Sequence, residues 1–296
     1  MKDAFLGYHP VVNFCYFVLV IGFSMFLMHP VCLGVSLACA FTYAVFLNGR
    51  RAVRLTLCGL LPLLVLTTVL NPLFNHEGAT ILTYLPDGNP LTAESMCYGL
   101  AAACMMVAVV LWFSCYNQVM TSDKFLYLFG RLIPALSLIF SMTLRFVPRF
   151  TAQFRTVAAA QRCVGRDMSS GSPVRRVKNG VAIVSSMLTW ALESAVTTAD
   201  SMKSRGYGLK GRTAFTYYRM ERRDVGALCF FLLTAGYLAV CASLGVLSWQ
   251  YYPQLRGSFT GVFPVSAYMA YSALCLMPVI MSWREERKWR ALRSGL

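Results

Sequence analysis

The sequence predicts an all-α integral membrane protein, with about six transmembrane helices plus a cytoplasmic or interfacial insert of two or three long amphipathic helices. Three observations carry that prediction. The 296 residues are 57% hydrophobic and 13% charged, with mean hydropathy +0.57, whereas soluble domains average roughly 45–50% apolar and about 25% charged residues. The apolar residues form long continuous runs, not the alternation of a membrane β-barrel. Positive charge is concentrated between Arg145 and Arg223.

Six runs are long enough to cross a bilayer, at roughly 11–28, 31–47, 55–74, 96–116, 226–248 and 262–283. About 20 residues rising 1.5 Å each cover the ~30 Å hydrocarbon core, so the second run is short but workable. A seventh apolar stretch, 125–148, is decided by charge. With six spans and a cytoplasmic N-terminus, every one of the 27 Lys and Arg residues except Arg256 is cytoplasmic, as the positive-inside bias requires. If 125–148 also crossed, the basic block and the tail would move outside. That stretch is therefore expected to enter the membrane partway or to lie along its inner face. Both termini are expected in the cytoplasm of a multi-pass cell-membrane protein. The chain then divides into N-terminal spans (1–116), a cytoplasmic region (117–224) and C-terminal spans with a basic tail (225–296).

The net charge of +15 is accounted for by that topology, without a nucleic-acid partner. The run "YYRMERRD" (217–224) reads as an anchor beside the lipid bilayer, where each exposed cation contributes about 1 kcal/mol. Within the cytoplasmic region, Pro148 and Ser172-Pro173 are expected to break the chain into helices. Over 174–203, Val174, Val177, Val181, Val184, Leu188, Ala191, Leu192, Ala195, Ala199 and Met202 recur at three- and four-residue spacing, which predicts one long amphipathic helix. The outer loop 75–95 has no Lys or Arg. Its "ILTYLPDGNPLTAES" predicts two short extended pieces around a Pro86-Asp87-Gly88 turn, with Thr92 capping the fourth span.

Catalytic and metal chemistry find no residues to carry them. The spans hold almost no ionisable side chain, although proton and ion relays need such groups despite an insertion cost of ~2.5–3.5 kcal/mol each. His9, His29 and His76 sit in or beside loops and read as solvated or interfacial rather than as metal ligands. No G-x-x-x-x-G-K-[ST] loop or G-x-S-x-G turn occurs. The 11 cysteines lie mostly in apolar runs without a C-x-x-C pair, so they read as small hydrophobes. No enzyme is expected, no cofactor bound by this chain, and any energy for transport must come from a partner.

What remains is a pair of helix ends. "DSMKSRGYG" (200–208) closes the long helix on Ser204-Arg205-Gly206. Gly206 suits a left-handed cap, and a cation in the last turn gains about 0.3–1 kcal/mol from the helix dipole. "AAAQRCVGRD" (158–167) reads as a second end of the same kind, at Arg162, Val164 and Gly165.

At this point the residues resemble a family. "ADSMKSRGYGLKGRT" (199–213) is similar to the second Ala-Arg-Gly motif of the transmembrane T component of energy-coupling factor (ECF) transporters, a group that includes cobalt-transport Q-type permeases. "LRFVPRF" (144–150) and "AAAQRCVG" resemble the approach to that family's first motif. "ILTYLPDGNPLTAESMCYGL" resembles its external hairpin. The resemblance implies a T component linking two cytoplasmic ATP-binding cassette (ABC) ATPases, which use ATP, to a membrane S component that captures a vitamin or metal ion. It implies ATPase contacts at Ser204, Arg205, Gly206, Arg162, Val164 and Gly165, and an apolar stripe toward the S component at Val177, Val181, Val184, Leu188 and Leu192. The chain departs from the pattern at Val164, where the family has arginine, with Arg162 and Arg166 the nearest cations. It departs again at "GYHPVVNF", in place of an Asp-Pro-Arg start. The reading from a different class is a membrane scaffold whose cytoplasmic helices recruit a non-ATPase partner.

Overall fold

The computed structural model describes residues 4–84, 90–130, 134–167, 172–207, 209, 218–257, 259 and 261–294. In chain order the helices are α1 (Pro10–Phe26), α2 (Pro30–Asn48), α3 (Arg50–Leu55), α4 (Leu61–Phe74), α5 (Ala93–Val119), α6 (Ser122–Gly130), α7 (Pro134–Cys163), α8 (Pro173–Ser204), α9 (Arg222–Ser243) and α10 (Val262–Ser294). A single π turn, Thr56–Leu60, joins α3 to α4. The chain forms two compact units, Met1–Phe125 with Tyr218–Leu296, and Leu126–Tyr217. The boundary falls within α6.

In the first unit α5 packs against α1, α2 and α4, while α10 packs on α2 and α9. Tyr16, Tyr43, Trp112 and Tyr271 are fully buried at its centre. Most of their polar atoms have partners. The Tyr16 hydroxyl donates to the Cys275 carbonyl (3.1 Å), and Trp112 Nε1 donates to Ser36 Oγ (3.1 Å). Ser36 in turn meets Ser24 (2.7 Å), which meets the Tyr271 hydroxyl (3.0 Å). Rings supply contact area while hydroxyls and the indole N–H avoid the cost of unpaired burial.

Two starts correct the reading of the histidines. His9 and His29 are buried, not solvated or interfacial. Each precedes a proline at the first helical position, and each Nδ1 accepts the next free backbone N–H, from Val11 and Val31, at 3.3 Å. Proline supplies no N–H to cap, so the imidazole satisfies the first one the helix does offer. His29 Nε2 also lies 3.0 Å from the Tyr268 hydroxyl.

The loop 75–95 forms the two short extended pieces expected. Strands β1 (Ile81–Tyr84) and β2 (Pro90–Thr92) pair antiparallel, and the Thr92 hydroxyl accepts from Ser95 N (3.4 Å) at the start of α5. The Pro86-Asp87-Gly88 turn lies outside the described residues. The fifth span ends earlier than its apolar run, at Ser243, because Gly245 adopts φ +72°.

One expectation for the basic region needs correcting. Pro148 does not break a helix; it sits inside α7, where one lost N–H is offset by the bonds of the remaining turns. The break at Ser172-Pro173 does occur, with Ser172 as N-cap and Pro173 opening α8.

Among the described residues, length and composition qualify six helical segments for crossing a membrane: α2, Arg50–Phe74, α5, α8, α9 and Val262–Arg287. The number matches the sequence reading but the membership differs. α1, with 17 residues, falls just short, and α8 qualifies with one of the lowest mean hydropathies of the set, 1.3. Its apolar residues lie on one stripe, so the average hides a polar face.

Candidate functional site

The second unit is built around α7 and α8, which run antiparallel. Midway, the Phe150 and Trp190 rings meet edge-on at 5.3 Å, and the Arg149 guanidinium lies 5.3 Å above Trp190. Toward one end, Arg145 and Arg149 of α7 share a cleft with Ser201 and Arg205 of α8. At the other, Arg166 lies beside Arg175 and Lys178, and Asn179 Nδ2 donates to the Asp167 carbonyl at 2.9 Å. Among the described residues of α8 only Asn179 and Ile183 are buried.

That thin contact leaves the predicted stripe uncovered within its unit. Val177, Val181, Val184, Leu188 and Leu192 are 60–67% exposed. A row of branched apolar side chains along a helix is normally buried, and contiguous exposure of this kind marks an interaction surface.

The two helix ends share one backbone geometry. At α8, Gly206 (φ +72°) donates to the Lys203 carbonyl (3.0 Å) and Tyr207 N donates to Met202 O (3.1 Å). At α7, Gly165 (φ +75°) donates to Arg162 O (2.9 Å) and Arg166 N donates to Gln161 O (2.9 Å). Both are Schellman caps, in which a left-handed glycine lets two amides reach carbonyls that lack helical partners. The shared hydrogen bonds fix a register between the ends. Val164 occupies the position of Arg205, Arg162 that of Lys203, and Arg166 that of Tyr207. Val164 is 72% exposed, and Arg162 pairs with Asp167 at 3.2 Å. The Ser204 hydroxyl donates to the Ser201 carbonyl (2.9 Å).

The antiparallel arrangement puts the two caps at opposite ends of the pair. With some 20–25 residues between them at 1.5 Å each, they stand roughly 35 Å apart. Two ends so separated can reach two bodies at once. The cap itself is not the distinguishing feature, because α9 closes the same way at Leu244-Gly245, with Gly245 N to Ala242 O (3.0 Å) and Val246 N to Cys241 O (3.1 Å). The basic residues around the α7 and α8 ends set them apart. Among the described residues no three His, Cys, Asp or Glu side chains cluster in a way that would hold a metal ion.

A family model described as cobalt transport protein (CbiQ) matches residues 8–215, from just before α1 to beyond α8, so both helix ends lie inside it. The chain belongs to this family. Similar curated proteins are energy-coupling factor transporter transmembrane proteins, EcfT. That of Lactobacillus helveticus is 31% identical over 109 residues, covering 36% of this chain and 39% of that protein. That of Exiguobacterium sibiricum is 26% identical over 212 residues (68% and 80%), and that of Thermosediminibacter oceani 26% over 230 residues (73% and 84%). The chain thus spans about two fifths of the first relative's length and at least four fifths of the other two. Membership bears out the expected likeness to ECF-type transmembrane components, and the candidate spans fit a multi-pass membrane protein. What the sequence missed is the cleft formed by Arg145 and Arg149 with the end of α8. Their i, i+4 spacing was the available signal, but only tertiary packing brings Arg205 to them.

Proposed function

We propose that this chain is the coupling subunit of an ECF-type ABC importer. It passes ATP-driven movement of two cytoplasmic ATPases to a membrane S component that takes up a vitamin or metal ion. One observation carries the reading beyond family membership. An antiparallel helix pair presents basic, glycine-capped ends at its two extremities and an exposed Val/Leu stripe between them. In this scheme Arg205 with Ser204 and Gly206 enters one ATPase, and Arg162, Val164 and Gly165 meet the other. Val177, Val181, Val184, Leu188 and Leu192 carry the S component. The chain is non-catalytic and binds no cofactor; the ATPases use the ATP. Positive-inside bias puts both termini and the α7–α8 pair in the cytoplasm, with the polar face of α8 toward water, despite that helix's sufficient length and hydropathy.

Arg205→Glu tests this directly. In cells carrying the ATPases and S component, it is expected to abolish copurification of at least one ATPase and substrate uptake, with membrane insertion intact. A guanidinium replaced by a carboxylate loses its charge-assisted hydrogen bonds and gains repulsion, a penalty of several kcal/mol at a buried contact. Normal uptake and ATPase retention in that variant would sink the assignment and favour the scaffold reading.

A further inference from the structure

The cleft between the first half of α7 and the last turns of α8 has a volume of about 330 Å³. Among the described residues three arginines line it, Arg145 and Arg149 from α7 and Arg205 from α8, and no Asp or Glu does. Arg145 and Arg149 are one helical turn apart, roughly 5–6 Å between Cβ atoms, an arrangement that is repulsive in isolation. Neither pairs with a carboxylate among the described residues, unlike Arg162 with Asp167 and Arg223 with Glu221. The Thr197 and Thr198 hydroxyls that border the cleft donate back to their own helix. Those of Ser141 and Ser201 have no such bond among the described residues, which leaves two donors beside the guanidinium groups. Leu138, Met142, Phe146 and Met202 form an apolar wall on the same cleft.

We infer that this cleft binds a phosphate oxyanion. Guanidinium forks match the spacing of phosphate oxygens, and converging forks with hydroxyl donors give the charge-assisted bonds that hold such a group. The anion removes the repulsion between Arg145 and Arg149 and ties α7 to the end of α8, where the two helices otherwise touch little. Its source is either an anionic phospholipid headgroup, whose glycerol and first methylenes would lie on the apolar wall, or a soluble phosphate. The site shares Arg205 with the proposed ATPase contact but not Arg145 or Arg149. The decisive variants are made at those two positions, so the inference stands or falls apart from ATPase docking.

The experiment uses the full chain purified in a non-ionic detergent, with thermal unfolding and retained phosphorus as readouts. The probes are phosphatidylglycerol, diacylglycerol of the same chains, and sodium phosphate against sodium chloride at matched ionic strength. A phosphate-bearing probe is expected to raise the unfolding midpoint, and Arg145→Gln to weaken its binding roughly tenfold or more. Stabilisation by phosphatidylglycerol beyond sodium phosphate supports a lipid headgroup; full stabilisation by sodium phosphate alone supports a soluble source. Arg256→Gln, on the opposite side of the predicted membrane topology, should bind as the unaltered chain does. If Arg145→Gln does not fold, Arg145→Lys keeps the charge without the fork and should bind more weakly while folding normally. Binding unchanged in both Arg145 and Arg149 variants, or diacylglycerol stabilising as well as the more effective phosphate-bearing probe, would overturn the site.

Discussion

The two units of this protein differ at their centres: the first holds fully buried aromatic rings, and the second holds none among the described residues. In the first, Tyr16, Tyr43, Trp112 and Tyr271 are fully buried, and Ser24 and Ser36 join Trp112 to Tyr271. In the second, the α8 stripe from Val177 to Leu192 stands exposed, and the pair meets at Phe150, Trp190 and Arg149 at mid-length and at Asn179 toward one end. Burial in the first unit specifies a fold, whereas exposure in the second withholds surface for something else. The difference teaches that a similar apolar content can stabilise one chain or recruit another. Which it does depends on whether the helices are packed around it.

The largest expected effect sharpens that contrast. Trp112→Ala should cost about 3–5 kcal/mol through an unfilled cavity, and it removes the indole donor to Ser36. Leu188→Ala, 60% exposed, should change stability by no more than about 0.5 kcal/mol while weakening retention of an S component. Denaturation of the two purified variants decides the point. A comparable loss of stability in both would break the comparison.

Next come the caps. Alanine at a left-handed position costs about 1–2 kcal/mol, so Gly206→Ala and Gly165→Ala should each fray their helix end, as read by hydrogen exchange of the last turn. The effect should be greater at Gly206, where the added Cβ would lie 3.1 Å from Leu209 Cδ1, than at Gly165, where nothing stands within 4 Å. Equal effects at the two ends would mean that Leu209 gives way freely.

A smaller effect on stability is expected for Val164→Arg. At an exposed cap it should stay within about 0.5 kcal/mol of the original. The register with Arg205 nevertheless predicts stronger retention of ATPase in copurification. Weaker retention would show that the valine is itself the fitted residue and that the two ends engage by different chemistry.

The smallest concerns pH and the first unit alone. Burial lowers the pKa of His9 below the usual 6.5, and the nearby Asp224 carboxylate only partly opposes that. The folded state therefore binds fewer protons than the unfolded one, so stability is retained above about pH 6.5 and declines as pH falls below it. Protonation would also remove the Nδ1 acceptor that caps α1. His9→Gln should flatten this part of the stability–pH profile; an unchanged slope would assign it to other groups.

Several features were legible in the residue string because their causes are local or cumulative. Hydropathy fixed the membrane class, and charge asymmetry argued for the topology. The three- and four-residue spacing placed α8 at 174–203 against an observed Pro173–Ser204. Thr92 announced the cap of α5, and Arg205-Gly206 announced a helix end. Misreadings arose where distant atoms decide. Pro148 reads as a breaker because its lost hydrogen bond is a local fact, yet the helix continues through it. His9 and His29 read as solvated because nothing nearby in sequence shows the packing that buries them.

By itself, then, the sequence determined the membrane class, the amphipathic helix and the residues at its end, since these depend on composition and helical period. Only the tertiary structure decided three further matters. It aligned Val164 with Arg205 through identical cap hydrogen bonds, set the two ends at opposite extremities, and drew Arg145 and Arg149 to Arg205 across some 60 residues of chain. The reason is geometric. An antiparallel pair brings together residues far apart in sequence, and no local periodicity encodes which ones meet.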